Sequence, residues 1–129
     1  MSLHVAMLRV HTCPLAGLGG KETGGMNVYV RELSRELGRM GVHVDVFTRS
    51  QDPAIPRVVS MGDRVRVIHL AAGAEAPMPR ESVADHLDEL VDRIDAWRLG
   101  EGIDYDVTYA HYWLSGVAAL QLRERWGGP

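Results

Sequence analysis

Runs of apolar residues along the chain change period several times, and each change marks an element. Leu3 to Val10 is a short β-compatible run and predicts a first strand. His11 to Gly24 holds several glycines and a proline, with no apolar period, and predicts a loop. From Met26 the apolar positions step by three and four through Val30, Leu33, Leu37 and Met40, which places them on one helix face. Gly41 is the expected stop. Val42 to Thr48 predicts a second strand, followed by a loop punctuated by Pro53 and Pro56. Arg57 to Ser60 and Arg64 to Leu70, parted by Met-Gly-Asp, predict a hairpin or two short strands.

Ala71 to Pro79 is a loop of small residues, and Pro79 suits the first turn of a helix. Val83, Leu87, Leu90, Val91, Ile94 and Trp97 then hold helical spacing. Asp106 to Ala110 predicts a last strand with His111 at its end, and Leu114 to Trp126 a last helix. Strands alternating with helices predict an α/β fold, a parallel sheet covered by helices on both faces.

Composition narrows the function classes. The chain has 129 residues, 46% hydrophobic and 24% charged, which fits one globular domain and not two. A net charge of −3 leaves no electrostatic footprint for nucleic acid or an anionic membrane. The lone Cys13 cannot form an internal disulfide, so a cytoplasmic protein is expected. No apolar run approaches the roughly 20 residues that span a bilayer, and His4 and Arg9 break the first run against a signal-peptide reading. Six histidines and one cysteine show no metal-ligand spacing, so no metal site is expected.

The first loop carries the chemistry. Fourteen residues from His11 to Gly24 exceed the usual span of about two to six between strand and helix, and long loops tend to be functional. In open α/β sheets ligands sit beyond the carboxyl ends of the strands. The loop delivers Thr23-Gly24-Gly25 to a helix start, where unpaired N–H groups and bare glycine backbone suit a phosphate. On spacing alone a phosphate cradle and a flexible turn both stand open. Walker A is excluded: Glu22 follows Gly20-Lys21, and Leu15 occupies the first glycine position. The dinucleotide fingerprint starts at Gly17 and Gly19 but has Glu22 at its third glycine position, and the second strand ends Phe47-Thr48-Arg49 without the acidic residue, Asp45 lying inside the strand. A small NAD-binding protein is therefore poorly supported.

Three segments carry a resemblance. His11-Thr12-Cys13-Pro14-Leu15, Thr23-Gly24-Gly25-Met26-Asn27-Val28-Tyr29-Val30, and Tyr105-Asp106-Val107 leading to His111-Tyr112-Trp113-Leu114-Ser115-Gly116 resemble the N-terminal domain of retaining GT-B glycosyltransferases of family 4. The likeness is greatest to the branch that glycosylates inositol phosphate in mycothiol biosynthesis; sucrose-phosphate synthases share the Gly-Gly helix start and are more distant. The resemblance implies a Rossmann-like, acceptor-side domain, truncated at 129, with the C-terminal nucleotide-sugar domain absent. It implies a nucleoside-diphosphate-sugar such as a UDP-sugar as donor, no separate cofactor, and a phosphorylated polyol or sugar as acceptor.

By the same resemblance Gly24 and Gly25 touch the donor diphosphate, His11 and Asn27 approach acceptor hydroxyls, and Arg80 and Tyr112 contact the acceptor's phosphate. Each placement suits the donors concerned. His111 either joins them or braces its loop. Arg80 stands where the inositol-phosphate branch has lysine, which keeps the charge and changes reach and geometry. At a helix start it also opposes the macrodipole, a cost that a bound phosphate would offset. Trp113 is expected to pack. Glu81 and Glu89 reproduce a Glu-x7-Glu spacing used in the family's other domain, but their segment reads as the solvated face of an acidic helix. A non-catalytic phosphosugar-binding domain is the rival reading, and the chain alone is expected to be catalytically inactive.

Overall fold

The computed structural model describes residues 3–10, 24–110 and 113–126, without the side chains of 24–27, 80, 113 and 114. The elements run β1 (His4–Leu8), α1 (Gly24–Arg39), β2 (His43–Arg49), β3 (Val58–Gly62), β4 (Val65–Leu70), α2 (Arg80–Ala84), α3 (Leu87–Glu101), β5 (Val107–Ala110) and α4 (Trp113–Trp126). The strands form one sheet in the order β3-β4-β2-β1-β5. β5, β1, β2 and β4 are parallel, with Leu8 level with Phe47 and with Ala110. β3 is antiparallel to β4, so the sheet is mixed at that edge: the chain turns back through a tight hairpin, with a register shift between Ser60 and Gly62. A hairpin leaves no room for the crossover that parallel pairing needs.

Alternation within each strand sorts side chains to two faces. Val5, Met7, Val44, Val46, Val65 and Val67 face α1, where Val30 is buried and Leu33 and Leu37 pack at the margin. Ala6, Leu8, Phe47, Ile68 and Leu70 face the other way, under Val83, Leu87, Leu90, Val91, Ile94, Ala118 and Leu122. Helices thus cover both faces of the sheet.

Two helix expectations need correction. Met40 is not on the buried face of α1: the helix ends at Arg39 and Met40 is 71% exposed. The stripe that meets the sheet is Val30, Ser34 and Gly38, all buried. The Ser34 hydroxyl lies 3.3 Å from Met7 Sδ, and a Cβ on Gly38 would fall 2.0 Å from the Asp63 carbonyl oxygen. Small residues let the helix sit close to the sheet, and hydrophobic spacing does not register them.

The second correction concerns the segment after Pro79, which is two helices and not one. The ladder breaks at Asp85 and His86, whose N–H groups bond three residues back to the Ser82 and Val83 carbonyls. The His86 ring packs against the backbone of Gly73, where a Cβ would come within 2.8 Å of it. Leu90 N–H then bonds the His86 carbonyl and the ladder restarts. α3 ends at Gly102 in a left-handed conformation, φ 67°, whose N–H caps the Arg98 and Leu99 carbonyls.

Candidate functional site at the carboxyl rim of the sheet

The carboxyl rim of the sheet is closely tied. Arg49 N–H, at the end of β2, donates to the Val10 carbonyl at 3.1 Å, and Ser50 N–H donates to the Leu70 carbonyl at 2.8 Å. Val10 N–H donates to the buried Ser115 hydroxyl in the first turn of α4 at 3.1 Å. These bonds hold the ends of β1, β2 and β4 and the start of α4 in one line.

α1 runs antiparallel to the strands. Its last turns meet the amino edge, where Gly38 abuts Asp63 and Val65 and the Leu37 carbonyl accepts from Val42 N–H. Sixteen helical residues span about 24 Å, so the Gly24-Gly25 start stands at the opposite, carboxyl rim. Tyr29 in its second turn shares a side-chain hydrogen bond with Tyr109 of β5, which fixes the helix start beside that strand. Gly24 and Gly25 open the helix, and Asn27 follows in the first turn.

The other expected residues divide. Arg80 opens α2, carried there by the loop that leaves Leu70 at the rim. At five residues α2 is too short to build much of a macrodipole, so the electrostatic cost expected for Arg80 is small. His11, His111 and Tyr112 lie outside the described residues, as do Cys13 and the side chain of Trp113. The residues preceding them in the chain are described: Val10 lies two residues past the end of β1, and Ala110 ends β5 level with Leu8 on the adjoining strand. Glu81 and Glu89 are both exposed, as expected, but they sit on different helices, and Glu89 accepts from Gly73 N–H at 2.8 Å.

The sequence reading missed Arg49. Its side chain is 1% exposed at the rim and makes no ion pair among the described residues. Nη1 donates to the carbonyls of Ser50 at 3.2 Å, Ala72 at 3.4 Å and Ala74 at 2.8 Å, and Nη2 to Ala76 at 2.7 Å. Burial lowers its pKa from the ordinary arginine value, yet a guanidinium stays charged across the working range of proteins. The only sequence signal was an arginine closing an apolar strand; the carbonyls that gather round it belong to alanines, which carry no mark.

The opposite edge holds a small open pocket lined by His4, His43, Asp45, Arg64, Arg66 and Ile103. It faces away from the rim. Its charges answer each other: Arg66 forks onto Asp45, and Arg64 is held by the Gly38 carbonyl at 3.0 Å. The His4 and His43 rings stack with centroids 4.7 Å apart. Among the described residues no cluster of histidine, cysteine and carboxylate side chains is arranged to hold a metal, and no helix is long and apolar enough to cross a membrane.

A Rossmann-like α/β domain with a glycine-led helix start at its carboxyl rim is the class defined by this geometry. Residues 24–129 match the glycosyl transferase 4-like domain, and the chain belongs to that family. It is 39% identical over 124 residues to the D-inositol 3-phosphate glycosyltransferase of Corynebacterium urealyticum, covering 96% of this chain and 29% of that protein. To the protein of the same description from Xylanimonas cellulosilytica it is 45% identical over 128 residues, covering 97% of this chain and 30% of the relative. Among solved structures, sucrose-phosphate synthase of Thermosynechococcus elongatus superposes with a TM-score of 0.88 at 37% identity, covering 95% of this chain and 30% of that one. The fold is thus that of GT-B neighbours, and the chain spans about three-tenths of the length of the relatives it matches.

Proposed function

We propose that this chain is the acceptor-side domain of a glycosyltransferase that moves a sugar from a nucleoside diphosphate to a hydroxyl of a phosphorylated polyol, inositol phosphate being the favoured acceptor, with retention at the anomeric carbon. The observation that carries the reading is the Gly24-Gly25 start of α1 at the carboxyl rim. Bare amides and the helix dipole stabilise the charge that develops on a departing diphosphate, the largest electrostatic demand of such a transfer. The relatives described as D-inositol 3-phosphate glycosyltransferases support the acceptor.

In this reading Gly24 and Gly25 donate backbone N–H groups to the donor diphosphate. His11 and Asn27 position the acceptor's hydroxyls, Arg80 and Tyr112 grip its phosphate, and His111 stands beside them. Holding the acceptor hydroxyl against the anomeric carbon, on the face that the diphosphate leaves, supplies much of the rate, because the entropy of encounter is met on binding. A domain beyond the three-tenths covered here would complete the donor site, so the 129 residues alone are expected to turn over no substrate.

The test is the full-length protein with a nucleoside-diphosphate-sugar and inositol phosphate, the product's anomeric configuration being read by NMR. Transfer with the donor's configuration kept is the expected result. Inversion would remove the retaining mechanism, and transfer to unphosphorylated acceptors alone would remove the phosphate-gripping role. Preference for a phosphorylated hexose would favour the sucrose-phosphate-synthase-like alternative, which the 0.88 TM-score supports on fold.

A further inference from the structure

The 71–79 loop, which carries the chain from the end of β4 to Arg80, is built of small residues yet is tied at several points. Arg49 collects the carbonyls of Ala72, Ala74 and Ala76. Glu89 of α3 accepts from Gly73 N–H. Gly73 itself has φ 68°, a left-handed conformation that disfavours a side chain, and lies against the His86 ring. Glu75 pairs with Arg57 at 2.7 Å. Of these ties only Arg49 reaches three alternate carbonyls at once, so it sets the path of the loop as far as Ala76, four residues before Arg80.

A buried guanidinium commonly meets a carboxylate. Here its described partners are neutral carbonyls, and burial disfavours its charge. A loop could be held by neutral hydrogen bonds without that cost. The arrangement leaves a fixed positive charge inside the rim, where a phosphorylated ligand would be drawn to it.

We propose that Arg49 is a positioning residue for the phosphorylated acceptor: by gathering the 72, 74 and 76 carbonyls it fixes the approach of the Arg80 helix start and gives the carboxyl rim a buried positive charge that no carboxylate among the described residues pairs. This rests on the acceptor reading above. Arg49 touches no substrate in it and acts through the loop. Lysine in its place keeps the charge but, as a point donor on a flexible stem, cannot fork across three alternate carbonyls as the two guanidinium nitrogens do. Methionine keeps the packing and removes both charge and donors.

The experiment measures kcat and the separate KM values for acceptor and nucleotide-sugar in full-length Arg49→Lys and Arg49→Met, with hydrogen exchange of amides 72–80 followed in the same preparations. The expected result for Arg49→Lys is a severalfold rise in acceptor KM, donor KM and kcat within twofold of the parent, and faster exchange confined to the loop. Arg49→Met is expected to raise acceptor KM tenfold or more. If Arg49→Met does not fold, Arg49→Lys decides alone. Parental acceptor KM in Arg49→Lys, or equal rises in both KM values, would overturn the proposal and leave Arg49 a structural residue. Failure of the parent enzyme to use any phosphorylated acceptor would overturn the acceptor reading instead, and it shows before any variant is made.

Discussion

Asp45 and Arg66 stand level on the adjacent parallel strands β2 and β4, and the guanidinium forks onto the carboxylate through two hydrogen bonds of 2.9 Å. The pair sits on the α3 face of the sheet, Arg66 lying 5.0 Å from the centre of the Trp97 ring and Tyr105 donating its hydroxyl to the same carboxylate. The Asp45 side chain is 6% exposed and that of Arg66 37%. The acidic residue within the second strand thus has two structural partners, Arg66 and Tyr105.

Asp45→Ala is expected to destabilise the domain by about 2–4 kcal/mol, since the Tyr105 phenol loses its acceptor and the part-buried Arg66 guanidinium keeps only Glu101, at 3.4 Å. The figure lies below that of a fully buried pair because Arg66 keeps some water. Urea unfolding followed by circular dichroism checks it; a change below about 0.5 kcal/mol, the range of an exposed pair, would contradict the coupling.

Tyr105 gives a pH signature. Burial first, then the Asp45 carboxylate, raises its pKa well above the ordinary phenol value. The unfolded chain therefore releases this proton first, from about pH 10, and the folded state loses stability as pH rises from there, by up to about 1.4 kcal/mol per unit. Tyr105→Phe removes that dependence. The stability gap between parent and variant is expected to be constant below about pH 9 and to shift in the variant's favour above pH 10, as read by unfolding curves across that range. A gap independent of pH would contradict the buried phenol.

Gly38 and Gly100 should respond oppositely to alanine. At Gly38 a Cβ meets the Asp63 carbonyl oxygen at 2.0 Å and Val65 Cγ2 at 2.7 Å, so helix and hairpin must part. A loss of about 3 kcal/mol or more is expected. At Gly100, inside α3, nothing lies within 4 Å, and alanine is expected to add about 0.5–1 kcal/mol through helix propensity. Thermal melts of the two variants test the pair.

Much of this was legible in the sequence, and the parts that were not share a cause. The apolar period of α3 predicted Leu87, Leu90, Val91 and Ile94 in the core, and all four are buried. The same period put Met40 inside, because hydrophobicity marks large residues and is blind to Ser34 and Gly38, whose smallness lets the helix approach. The break at Asp85 and His86 depends on a tertiary contact with Gly73, which no local spacing encodes. At the rim, Gly24 and Gly25 were singled out as candidates because the sequence before them is long and glycine-rich, and their role is the one proposed above. Arg49 was missed because its partners are backbone carbonyls, identical for every residue type.

Arg80→Ala in the full-length enzyme is expected to raise the acceptor KM about tenfold or more, the loss of one charge-assisted contact to phosphate, with donor KM unchanged. Steady-state kinetics with each substrate varied in turn checks it. An unchanged acceptor KM would remove Arg80 from the phosphate site.

The central claim is that the start of α1 receives the donor's diphosphate, and a crystal structure of the full-length protein with a bound nucleoside diphosphate tests it most directly. The expected result is a phosphate oxygen within about 3 Å of the Gly24 or Gly25 amide nitrogen. A diphosphate bound away from α1, with those two amides capped by protein atoms, would contradict it.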